Sequence, residues 1–203
     1  MPLSLPAAPL FGQPVPQQPR PEVLSFLATR RSASAVTLAE PAPSADELAG
    51  LLRLAARVPD HGKLAPWRFI VLESAAKAVF ADRLEALANS RGDVRSAAKL
   101  AKLKIPPLGV AVVSRPRTGE IPEWEQVLSA GAVCATLLYA ALALGYGANW
   151  ITDWYAYDEE AKAILGLEPG EKVAGFVFLG TPKEPPQERE RPELASLITT
   201  WRP

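Results

Sequence analysis

From Val127 to Thr152 the chain carries no charged residue. A helix of that length could cross a bilayer, so the run must be either a membrane span or a helix packed inside protein. Three features favour packing. The stretch is rich in Ala and Gly rather than Leu and Ile, so its transfer energy is modest. Gly145-Tyr146-Gly147 breaks it, leaving a helix from about Trp124 to Leu144. No basic anchors flank it. The run is therefore expected to form a helix buried on all sides. Ala130, Gly131, Ala132 and Ala135 are small enough to let a second backbone approach closely. In a chain of 203 residues, such a helix points to the centre of a dimer.

The length suits one domain with a substantial core. The formal net charge is zero, without the basic footprint of a nucleic-acid binder. Cys134 and His61 are the only residues of their types, which excludes a disulfide within the chain and a Cys/His zinc cage. A cytoplasmic location is expected. Residues 1–21 hold seven prolines and almost no charge. They cannot bury enough apolar surface to offset ordering and are expected to form a disordered arm, with one domain over 22–203. The arm is not expected to be a secretory leader, because proline interrupts every apolar run.

Ser44-Ala45-Asp46-Glu47 has the spacing of a capping box and predicts a helix through Arg57 that Pro59 stops. Strands are expected at Phe69–Leu72, Leu108–Val113 and Val173–Leu179, with a short one at Ala148–Thr152. Helices are expected near Ser74–Asn89, Val94–Lys104 and Asp158–Leu165, the last ended by Gly166. After Gly180-Thr181-Pro182 the chain becomes polar and proline-rich. Apolar character returns at Leu194, Leu197, Ile198 and Trp201, which suits a tail over 185–203 docking on a partner subunit.

Arg30-Arg31-Ser32 places two guanidiniums and a hydroxyl on successive residues, a compact anion site. Alone, the triplet is more often a solvated helix cap favoured by the helix dipole. There is no GxGxxG fingerprint, Walker A loop or GxSxG elbow, and a lone histidine leaves little room for a Ser-His-Asp site. If the chain is an enzyme, a cofactor should perform the difficult step.

Four segments, taken in order, resemble the nitroreductase-like flavoprotein family. They are Arg30-Arg31-Ser32, Pro59-Asp60-His61-Gly62-Lys63 leading to Pro66-Trp67, Gly145-Tyr146-Gly147-Ala148-Asn149-Trp150, and Gly180-Thr181-Pro182. Pro122-Glu123-Trp124-Glu125-Gln126 fits a small branch of the same family. The resemblance runs from about residue 22 to the C-terminus. It implies an α+β sandwich with a mostly antiparallel central sheet flanked by helices, an intertwined homodimer, and one FMN at each subunit interface. It also implies hydride transfer from NADH or NADPH to the flavin, then to a small electron-poor acceptor such as a nitroaromatic or quinone.

By family position, Arg30, Arg31 and Ser32 hold the phosphate and ribityl end of FMN. Arg57 and His61 reach a flavin bound mainly by the other subunit, and Trp150, Ile151 and Thr152 line the ring and phosphate region. No catalytic acid or base is assigned, and no metal. The chain departs from the pattern in three places. Ser34 stands where many relatives have a cation, Lys63 and Ala65 fall in a stretch that often carries Asn and Gln amides, and Ile151 replaces an Arg of some close relatives. These changes leave open an alternative, a flavin-binding dimer with little reductase activity that acts as carrier or regulator.

Overall fold

The computed structural model describes residues 5–203. Ser44 forms the expected capping box with Glu47 and starts α2 (Ala45–Ala55). It follows α1 (Pro21–Thr29) and a two-residue strand, β1 (Leu38–Ala39), which has no periodic signal in the sequence. β2 (Trp67–Leu72) leads to α3 (Ser74–Ser90). The helix expected over Val94–Lys104 is two pieces, α4 (Val94–Lys99) and α5 (Ala101–Lys104), with the chain turning at Leu100. β3 (Leu108–Ser114), α6 (Glu123–Ala143), β4 (Gly147–Ile151), α7 (Glu159–Leu165) and β5 (Lys172–Pro182) complete the fold. Of the arm expected over 1–21, residues 1–4 lie outside the described residues. Beyond them, Pro6 O accepts from the Arg53 guanidinium of α2 at 2.7 Å.

The sheet is antiparallel throughout. β2 pairs with β3, β3 with β5, and β4 with β5, with β1 joined to the last residues of β5. Every residue of β3 is buried, as expected of a strand covered on both faces. Alternation divides the core in two. Ala111, Phe176 and Phe178 pack with α3, α5 and α7 on one face. Val110, Val112, Val177 and Leu179 pack with α2 and α6 on the other.

The uncharged run forms α6, which is long and apolar enough to cross a membrane by length and composition. Its buried side chains, among them Val133, Cys134, Leu137 and Ala141, pack against the sheet and α2, as in a core helix. The opposite face is open within one subunit: Trp124 and Leu128 are 69% and 54% exposed, so burial on all sides would need a second chain. Gly145, at φ 95, reverses the chain, and the Tyr146 N–H closes the turn on Ala141 O at 3.0 Å.

One pH effect follows from this core. Burial pushes the Cys134 thiol up to about 12, while an unfolded thiol titrates near pH ~8.5. The folded state keeps a proton the unfolded state loses, so stability falls as pH rises through that window, by up to about 1.4 kcal/mol per unit. Tyr155 shifts in the same direction, chiefly by burial. Burial lowers Lys77, which gains stability up to pH ~10.4 and opposes the trend. Cys134→Ala should flatten the decline between about pH 8.5 and 10 in urea titrations. Identical slopes in the two proteins would refute the assignment.

Candidate functional site

Two motifs more than a hundred residues apart meet at the edge of the sheet. The Ala33 N–H donates to Ala148 O at 3.0 Å, and Asn149 Nδ2 donates back to Ala33 O at 2.5 Å. Arg30-Arg31-Ser32, leaving the end of α1, is thereby laid beside β4. Arg30 Nη2 donates to Ser32 Oγ at 3.3 Å, and its guanidinium lies 5.5 Å from the centre of the Tyr139 ring on α6. Arg31 Nη1 donates to Glu188 Oε1 at 3.2 Å.

Three buried polar atoms here have no protein partner among the described residues: Arg30 Nε, Arg31 Nε and Asn149 Oδ1. Leaving such atoms unsatisfied costs about 1–3 kcal/mol each, so they are natural places for a ligand to bond. The donor set is two guanidiniums, which suits an anion of phosphate geometry.

Trp150 and Ile151 point to opposite faces of β4, as strand alternation requires. Ile151 packs against the core on the α3 and α7 face. The Trp150 indole lies across β5, with Nε1 donating to Ala174 O at 3.3 Å. Gly175 makes this possible, because a Cβ there would sit 2.0 Å from Trp150 Nε1. Thr152 follows β4, and its hydroxyl accepts from Tyr157 at 2.7 Å.

Arg57 and His61 form a second group, exposed on the connection from α2 to β2. No hydrogen bond among the described residues links them to Arg30 or Arg31. The loop itself is tightly specified. Gly62, Lys63 and Ala65 have φ of 73, 54 and 46, all in the left-handed region. Asp60 holds this shape by accepting the N–H groups of Leu64 and Ala65 at 3.1 and 2.8 Å. His61 Nδ1 lies 2.7 Å from Glu125 Oε2 on α6.

Several participants escape sequence reasoning. Asn149 lies inside a recognised motif, but its bond to Ala33 depends on strand placement. Nothing in the sequence pairs Arg30 with Tyr139. Glu188 belongs to a run that looks like a solvated charge cluster, yet it accepts from both Arg31 and Arg191. The Arg189 amide and the two guanidiniums hold its carboxyl below the ordinary range.

Comparison with known proteins gives the chain a family and a fold. A model of the Nitroreductase family matches residues 27–181. The Escherichia coli K12 protein named "Putative NAD(P)H nitroreductase YdjA" is 34% identical over 165 residues, covering 80% of this chain and 89% of that protein. A Haemophilus influenzae protein of the same descriptive name is 32% identical over 171 residues, covering 80% and 90%. Among solved structures, a nitroreductase-like family protein from Bacillus cereus superposes with a TM-score of 0.79 at 18% identity, over 92% of this chain and 98% of that one. A Bacteroides fragilis nitroreductase with bound FMN gives 0.69 at 23% identity, over 89% and 99%.

Proposed function

The chain belongs to the nitroreductase family, and from that premise we propose that it binds FMN at the interface of a homodimer and uses NADH or NADPH to reduce a small electron-poor acceptor such as a nitroaromatic or quinone. It is an NAD(P)H-dependent flavin oxidoreductase. The observation that carries the reading is the pair of buried, unpartnered guanidinium nitrogens of Arg30 and Arg31 beside Asn149. FMN phosphate bears close to two negative charges, and a forked guanidinium meets them with short charge-assisted bonds.

When bound, FMN supplies the hydride chemistry; the protein's residues anchor it and set its charge environment. Arg30, Arg31 and Ser32 hold the phosphate and ribityl end. Trp150 walls the ring, whereas Ile151 is turned into the core on the opposite face of β4 and the Thr152 hydroxyl is held by Tyr157. Arg57, His61 and Lys63 come from the second subunit, where the cations of Arg57 and Lys63 favour the reduced ring's negative charge. Hydride transfer asks for no protein nucleophile, consistent with the lack of any triad. Purified protein should be yellow, bleach with NADPH and recover with a nitroaromatic. A yellow protein indifferent to both nicotinamides would favour the carrier reading instead.

The dimer is supported by unpartnered apolar surface. Leu194, Leu197, Ile198 and Trp201 of the tail are all well exposed within one chain, as are Trp124 and Leu128 on the open face of α6. Burying one large apolar side chain contributes about 1.5–3 kcal/mol. Removal of residues 185–203 should therefore weaken dimerisation roughly tenfold or more. Sedimentation equilibrium of the truncated chain measures this; an unaltered dimer constant would reject the docking role.

A further inference from the structure

The Pro122–Gln126 motif has two side chains that the flavin reading leaves without a role. Gln126 is buried and braces the preceding loop, donating to Arg117 O and Ile121 O at 2.9 and 3.0 Å and accepting from the Arg117 N–H at 2.8 Å. Glu125, one residue earlier, faces His61. Ser129, one turn further along α6, donates to Pro59 O at 2.7 Å and accepts from Trp67 Nε1 at 3.1 Å. The loop is thus pinned by Ser129 at Pro59, by Glu125 at His61 and by Asp60 at Leu64 and Ala65. Left-handed backbone at Lys63 and Ala65 is costly and persists because these bonds over-determine it.

We infer that Glu125 is the positioning residue for His61. Its carboxylate accepts the Nδ1 proton and turns the ring so that Nε2 is the atom offered to the bound ligand. This rests on the flavin reading above and deepens it. A neutral imidazole protonated at Nδ1 presents an acceptor at Nε2. The pyrimidine edge of isoalloxazine carries one N–H between two carbonyls, and that N–H is its complement. His61 then makes, across the interface, the ring-edge hydrogen bond for which Lys63 and Ala65 have no side-chain amide.

His61 is the only histidine, so imidazole 15N labelling gives a single pair of signals. In the wild-type apo-protein the Nδ1–H tautomer should dominate. E125A should revert to the Nε2–H tautomer that an unrestrained imidazole favours, while E125Q, whose amide oxygen still accepts, should keep the wild-type form. E125A should weaken FMN and riboflavin binding by the same factor, roughly tenfold for one lost hydrogen bond. It should do so only when His61 is present. A flavin methylated at that N–H should bind the wild type more weakly than the parent flavin, with the difference abolished in E125A. An unchanged tautomer in E125A would overturn the inference, as would an equal loss of affinity in the H61A background. Wild-type protein that ignores both flavins would instead sink the flavin reading itself, leaving the tautomer result to decide whether Glu125 orients His61.

Discussion

Arg30→Ala should raise the dissociation constant for FMN by roughly ten- to a hundredfold while leaving the apo-protein folded. A hydrogen bond to a charged group contributes about 1.5–3 kcal/mol, and each 1.4 kcal/mol is about tenfold in affinity. The fold should tolerate the change because the Arg30 side chain gives the protein only a 3.3 Å bond to Ser32 and a contact over Tyr139. The segment's placement depends instead on the Ala33 and Asn149 bonds, which the substitution leaves in place. Riboflavin, lacking the phosphate, should bind both proteins almost equally. Arg30→Lys should recover part of the affinity, since a lysine keeps the charge but not the fork. Fluorescence quenching titrations measure all five constants. Unchanged FMN affinity would remove the phosphate assignment.

This variant separates the two ends of the ligand. Arg30 should act on FMN alone, whereas Glu125, through His61, should act equally on FMN and riboflavin. Glu188 complicates the phosphate end. It occupies Arg31 in the described chain, so a phosphate must share or take that guanidinium. The Glu188 side chain is 58% exposed against 20% for Arg31, so the carboxylate can return to water when a phosphate takes its place.

How much of this was legible follows from range. Local signals translated directly: the Ser44 capping box, the Gly166 stop and the glycine break after α6 each depend on a few neighbouring residues. Strands β2, β3 and β5 announced themselves as apolar runs because both sheet faces are covered. β1 did not, since two residues paired to the end of β5 carry no period. The split between α4 and α5 was hidden because both pieces share one amphipathic pattern. In the site, the Arg-Arg-Ser motif was visible as chemistry. Its partners were not, because Tyr139, Asn149 and Glu188 reach it only through tertiary placement. Glu125 lies within the Pro122–Gln126 motif, but its purpose emerges only when α6 lies beside the His61 loop.

Phe176→Ala should destabilise the fold by about 3–5 kcal/mol, as large-to-small aromatic changes in cores do. Phe176 is fully buried and its ring lies 5.0 Å from Tyr155, 6.4 Å from Phe80 and 6.3 Å from Phe178. Its neighbours come from the sheet, α3 and the segment after β4, so collapse around the cavity would have to move several elements at once. For a chain of this size that loss corresponds to a fall in Tm on the order of ten degrees. Phe176 also pairs in register with Ile151 of β4, so the substitution tests whether the sheet edge beside Arg30 is held by the core or by the ligand. Saturating FMN at a hundredfold excess over its dissociation constant adds about 2.7 kcal/mol to any protein that binds it only when folded. If the core supports the site without shaping it, the Phe176→Ala protein should start from a lower Tm yet gain nearly the wild-type increment with FMN. Arg30→Ala should do the reverse, starting near wild type and losing most of the gain. A Phe176→Ala protein that folds but gains nothing from FMN would show that β4 depends on this aromatic cluster for its binding geometry.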